Sequence, residues 1–183
     1  MTSAYSVFPN GGVRMTPYGI LKISDRDGNL LEEDRPEAHD AIRADTAFVM
    51  TNLLRGVVQR GTGAAAAALG WPLGGKTGTT DDFGDAWFVG FDPDITVGVW
   101  VGYDERKTIG PSETGAQAAL PIWTEFMKAY IATRDRNHPP EFVPPGNIVF
   151  LSVDKGNGSP TGEGAGINEA FISGTQPGTA FPH

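Results

Sequence analysis

The 183-residue chain sets 14 Lys and Arg against 22 Asp and Glu, a formal net charge of -8, with 39% hydrophobic residues. That is enough apolar sequence for one domain with its own core, or a large part of a bigger one, and it excludes a disordered chain. The acidic balance gives no electrostatic reason for a nucleic acid or anionic membrane partner, and the absence of cysteine excludes disulfide scaffolds and thiolate metal sites.

In chain order, residues 1–8 are small, aromatic and apolar and run into the turn cluster Pro9-Asn10-Gly11-Gly12. They read as the last turns of a helix whose beginning lies upstream. Met1-Thr2-Ser3-Ala4-Tyr5 lacks the basic and apolar regions of a signal peptide, and no window approaches the roughly 20 apolar residues of a membrane span. Residues 14–33 carry Met15, Tyr18, Ile20, Leu21 and Ile23, then Asp25-Arg26-Asp27-Gly28-Asn29 and Leu30-Leu31, a hairpin pattern around an Asp-Gly turn. Residues 32–40 are charged, are interrupted by Pro36 and read as a loop. Asp40 or Asp45 then caps a helix to about Gln59, with Ala44, Ala47, Phe48, Met50, Thr51, Leu54 and Val58 as its apolar stripe and Gly61 and Gly63 as its stop. The alanine run over 64–69 extends as a short helical turn, ended by Gly70 and Pro72.

Residues 74–80, 86–91 and 95–103 are separated by short turns, and the last two are rich in β-branched and aromatic side chains, so three antiparallel strands are expected. After a Gly/Pro loop over 110–117, residues 118–133 place Leu120, Ile122, Trp123, Phe126, Met127, Tyr130 and Ile131 at helical spacing. Half of the prolines lie from Pro139 onward, glycine is dense there, and only residues 148–153 read as a strand. The domain boundary is therefore expected at 137, with 138–183 an appended, weakly structured extension whose end is frayed.

Three patterns compete for the chemistry. Gly70-Trp71-Pro72-Leu73-Gly74-Gly75-Lys76-Thr77 fits the phosphate-loop rule, but such a loop follows a strand and opens a helix, whereas an alanine run precedes this one and a turn-rich stretch follows it. Ser152-Val153-Asp154-Lys155 fits S-x-x-K, a spacing that sets a lysine one helical turn from a nucleophilic serine. On a strand, residues three apart face opposite ways, so these read as a surface serine and lysine. His39, His138 and His183 lack ligand-like spacing, and no metal or cofactor is expected. Lys76-Thr77-Gly78-Thr79, on a strand, gathers an ammonium, two hydroxyls and a backbone that glycine leaves approachable, which suits an anion.

That strand, continuing through Asp85-Ala86-Trp87-Phe88-Val89-Gly90 into a second, resembles the third active-site motif of the class A penicillin-binding proteins, bifunctional cell-wall synthases with a glycosyltransferase and a transpeptidase domain. Asn10-Gly11-Gly12, Thr16-Pro17-Tyr18, Gly61-Thr62-Gly63, Trp100-Val101-Gly102-Tyr103, residues 119–127 and Phe171-Ile172-Ser173-Gly174-Thr175 are similar to the same family. The resemblance implies a serine that attacks the penultimate D-alanine carbonyl of a peptidoglycan stem peptide and passes the acyl group to a neighbouring amine. Penicillin and other β-lactams would mimic the D-Ala-D-Ala end. It implies catalytic roles for Lys76 and Thr79 and a substrate-binding set of Thr77, Gly78 and Thr79. The two hydroxyls would hold the terminal carboxylate, the Thr79 N–H would serve an oxyanion hole, and Lys76 would supply positive potential and help proton transfer.

Neither S-x-x-K nor S-x-N precedes Lys76. The chain is therefore expected to be the C-terminal part of a transpeptidase domain, without the nucleophile and inactive alone. Its parent would lie at the periplasmic face of a bacterial inner membrane, held only through an N-terminal anchor outside this chain. The fold implied is α/β in the α+β sense: an incomplete β-lactamase/transpeptidase-like domain in which one antiparallel sheet, holding the two hairpin strands and the three later ones, is flanked by helices. A non-catalytic binding module, or half of a domain that docks a complementary half, is the alternative reading, and a nucleotide binder the remote one.

Overall fold

The computed structural model describes residues 1–105, 107–162 and 164–178. A short helix α1 (Thr2–Tyr5) leads into strand β1 (Val13–Met15), a hairpin of β2 (Lys22–Ser24) and β3 (Leu30–Glu33), and β4 (Ala38–Asp40). Helix α2 (Ala44–Arg60) follows, then a 3-10 segment (Ala64–Leu69) and the strands β5 (Gly74–Thr79), β6 (Asp85–Phe91) and β7 (Thr96–Gly102). A π-helical turn (Gly115–Ala119) opens α3 (Leu120–Ala132), and β8 (Ile148–Val153) and β9 (Ile167–Ile172) close the order.

The expected single sheet resolves into smaller ones. β5, β6 and β7 form a three-stranded antiparallel sheet in that order, whereas β2–β3, β1–β4 and β8–β9 are separate antiparallel pairs. Asp25 makes the β2–β3 turn local: Oδ1 accepts from the Asp27 and Asn29 backbone N–H groups at 2.9 and 2.8 Å, and Oδ2 from the Asn29 amide at 2.8 Å. The charged segment over 32–40 is not all loop. Its Ala38–Asp40 pairs with Val13–Met15, and the Gly12 carbonyl accepts from Ala41 and Ile42 at the end of that ladder.

The core lies where α3 meets the three-stranded sheet. Pro121 sits in the first turn of α3, where its missing N–H costs nothing, and Leu120, Trp123, Met127 and Ile131 are its buried positions. The fully buried Trp123 ring stands edge-on to Phe88 at 5.0 Å and donates its indole N–H to the Val97 carbonyl at 3.2 Å. Burial of side chains of this size contributes on the order of 2–3 kcal/mol each. The apolar stripe read from sequence is wider than the face that packs, because Ile122 and Phe126 are exposed.

Helix α2 buries Ala47, Phe48, Thr51, Leu54 and Val58 and packs against β5 and β9. Neither expected aspartate caps it. Arg43 occupies the capping position without a side-chain bond, and Asp45, inside the first turn, pairs with the Arg43 guanidinium and accepts from the Thr46 N–H at 2.7 Å. Asp45 is drawn inward because the Asn147 amide also donates to it, at 2.6 Å, from the far end of the chain.

That contact belongs to a second correction. The segment after 138, expected to be weakly structured, forms the β8–β9 hairpin, and Glu169 and Ala170 of β9 are buried. Glu169 accepts from the Asn52 amide at 2.7 Å and pairs with the Arg60 guanidinium, while Phe150 meets Phe48 edge-on at 6.2 Å. The frayed end expected at His183 lies outside the described residues.

Candidate active site

Lys76, Thr77, Gly78 and Thr79 lie together on β5, as read from sequence. β6 pairs one side of this strand, and among the described residues no strand pairs the other, so β5 is an edge. Strand N–H groups point alternately toward and away from the partner. The Thr80 N–H donates to the Asp85 carbonyl of β6 at 3.1 Å, which directs the Thr79 N–H toward the open edge. No helix starts at Lys76, and the phosphate-loop reading fails on geometry: Gly74–Thr79 is strand.

Each polar group is held by a different element. Lys76 is exposed, and its ammonium donates to the Thr77 carbonyl at 2.8 Å. Among the described residues no carboxylate pairs with it. The Thr79 hydroxyl accepts from the Gly115 N–H at 3.0 Å, so its own proton is available for an incoming anion. The Thr77 and Thr62 hydroxyls lie 2.8 Å apart.

Thr62 and Gly115 are the two residues that the chemical reading of the sequence missed. Thr62 sits in the Gly61-Thr62-Gly63 stop of α2, where a hydroxyl between two glycines was the available signal. Gly115 opens the π-helical turn and lies so close to the hairpin that a Cβ there would stand 2.3 Å from the Trp87 carbonyl oxygen and 2.6 Å from that of Gly78. Only glycine brings this N–H to Thr79.

Beside the site, the β5–β6 turn runs through Asp82 and Phe83, both left-handed at φ 59° and 52°. Thr80 and Asp85 close it, with the Asp85 N–H on Thr80 Oγ1 at 2.8 Å and the Trp100 indole N–H on Asp85 Oδ1 at 2.8 Å. The other serine–lysine pair is unlike a nucleophile site. Ser152 is on β8, where its hydroxyl accepts from Thr161 at 3.1 Å, and Lys155 is exposed in the following turn. Among the described residues no group of three or more His, Asp or Glu could hold a metal ion, and no helix is long and apolar enough to cross a membrane.

A family model described as penicillin binding protein transpeptidase domain matches residues 1–128. The chain is 42% identical over 177 residues to penicillin-binding protein 1A of Aquifex aeolicus (strain VF5), covering 97% of this chain and 24% of that protein. It thus spans about a quarter of that relative's length. The crystal structure of penicillin-binding protein 1A from Haemophilus influenzae superposes with a TM-score of 0.83 at 28% identity, over 96% of this chain and 32% of that one. The D,D-transpeptidase domain of peptidoglycan glycosyltransferase from Eggerthella lenta gives a TM-score of 0.58 at 29% identity, over 72% of this chain and 31% of that one. The fold is the mixed helix and antiparallel sheet of those structures, and the chain belongs to the penicillin-binding protein transpeptidase family.

Proposed function

We propose that this chain supplies one wall of the active site of a serine-type D,D-transpeptidase that cross-links peptidoglycan stem peptides and is acylated by penicillin and other β-lactams. Residues 1–137 are read as the C-terminal part of that transpeptidase domain and 138–183 as a segment appended to it. The parent is read as a longer synthase with a glycosyltransferase domain, acting at the periplasmic face of the inner membrane. The family supports acyl transfer, and the names of its relatives supply the penicillin and the peptidoglycan.

One observation carries this reading: Lys76, Thr77 and Thr79 stand on one strand, β5, that no other described strand pairs on its far side, with the Lys76 ammonium on the Thr77 carbonyl and both hydroxyls met from outside the strand. A terminal carboxylate laid along that edge accepts hydrogen bonds from the Thr77 and Thr79 hydroxyls beside the Lys76 ammonium, and hydrogen bonds to a charged group are the stronger kind. A peptide can extend the sheet there by strand addition. Gly78 leaves the approach open between the two threonines. With the scissile carbonyl then over the edge, the Thr79 N–H is aimed at the developing oxyanion, and such a fixed donor lowers the barrier by about 3 kcal/mol.

The test is labelling by a fluorescent penicillin. The full-length protein is expected to be labelled, and Lys76→Ala to slow labelling on the order of 100-fold. The 183-residue chain alone is expected to stay unlabelled, since no S-x-x-K precedes Lys76 in it. Equal labelling of wild type and Lys76→Ala, or saturable ATP binding in place of labelling, would overturn the reading.

A further inference from the structure

A threonine hydroxyl has one proton to give. If Thr77 spends its proton on a bound carboxylate, the 2.8 Å contact with Thr62 has one polarity left, with Thr62 as donor and Thr77 as acceptor. In that polarity the Thr62 proton favours the arrangement in which Thr77 presents its own proton, and not a lone pair, to the anion.

Thr62 is built into place. It lies two residues beyond Arg60, the last residue of α2, and the Gly61 and Gly63 N–H groups on either side both donate to the Val57 carbonyl, at 3.0 and 3.1 Å. Arg60, the last residue of the helix, is drawn back along it to Glu169 of β9. Gly56 makes that course possible, because a Cβ there would lie 2.9 Å from an Arg60 guanidinium nitrogen. Glycine inside a helix costs about 0.5–1 kcal/mol relative to alanine, and here the space it leaves is occupied. The β8–β9 hairpin, remote in sequence from Lys76, thus anchors the end of α2 from which Thr62 reaches the site.

We infer that Thr62 is a positioning residue for the carboxylate subsite: its hydroxyl donates to Thr77 Oγ1 and commits the Thr77 proton to the bound carboxylate. This rests on the transpeptidase reading and extends it to a residue outside the K-T-G strand. The role concerns binding more than bond-making, since Thr62 acts through the Thr77 hydroxyl.

The experiment measures acylation of the full-length protein by a fluorescent penicillin, resolved into the dissociation constant of the encounter complex and the acylation rate constant. Thr62→Val, which keeps the shape and removes the hydroxyl, is expected to raise the dissociation constant about 3- to 10-fold and to change the rate constant less than about twofold. Thr62→Ser is expected to restore wild-type values. On a Thr77→Val background, Thr62→Val is expected to add nothing, the coupling expected of two groups acting as one. Full additivity with Thr77→Val, failure of serine to rescue, or a Thr62→Val protein that binds like wild type would overturn the inference while Lys76→Ala still lost labelling. A Lys76→Ala protein labelled like wild type would instead remove the transpeptidase reading itself.

Discussion

The β2–β3 and β8–β9 hairpins are both two-stranded and both carry branched aliphatic side chains, yet every residue of β2 and β3 is exposed, whereas β9 buries Glu169 and Ala170 against the body. The docked hairpin is also the more apolar, for β8 and β9 are mostly apolar whereas β2 and β3 carry only Ile23, Leu30 and Leu31, the two leucines 52% and 65% exposed. The docked hairpin is met by polar partners at both ends of α2: Asn147 on Asp45 near the first turn, and Glu169 on Asn52 and Arg60 toward the last. A two-stranded hairpin alone is marginal in water. What the docked one gains is a helix face where the Asn52 amide and the Arg60 guanidinium find their carboxylate in Glu169, and a buried polar group left without its partner is costly.

The largest effect that could break this contrast is expected from Glu169→Ala, which leaves the partly buried Arg60 guanidinium without its carboxylate. Loss of such a partner is expected to reduce the protection of β8–β9 by about 2 kcal/mol, read by amide hydrogen exchange in the full-length protein. A smaller, pH-dependent effect comes from Asp45. The Arg43 guanidinium, and after it the Asn147 amide, hold its carboxyl down from the ordinary 3.8 to about 2. Because the folded value lies below the unfolded one, the stabilisation is complete above pH 3.8 and is lost as pH falls through about 2. Exchange in β8–β9, corrected for intrinsic rates, is therefore expected to speed up across that window, and Asn147→Ala to flatten the dependence. The smallest effect is expected at Leu31→Ser on the free hairpin, within about 0.5 kcal/mol by thermal unfolding. A loss there as large as that of Glu169→Ala would show that β2–β3 is packed in solution after all.

The same contrast explains what could be read in advance. β5 to β7, α2 and α3 announce themselves through local periodicity and turn residues, and the K-T-G strand through composition, so the central fold and the position of Lys76, Thr77, Gly78 and Thr79 were legible. β4 was not, because Ala38-His39-Asp40 has no apolar alternation and exists through its pairing with β1. β9 was hidden among glycines and prolines, and what holds it is an ion pair with a residue 109 positions earlier. Thr62 and Gly115 meet their partners across 15 and 36 positions. Contacts of that range are properties of the folded chain and leave no local pattern.

Among the described residues one edge of β5 has no strand beside it. A row of unpaired backbone groups can receive the strand of another protein chain, and exposed edges of this kind seed aggregation. β5 is poorly suited to that misuse. Three of its six residues are glycine, which has low strand propensity, and the exposed Lys76 ammonium would repel the same strand of a second copy. Its glycines and Lys76 thus deny the edge to self-association.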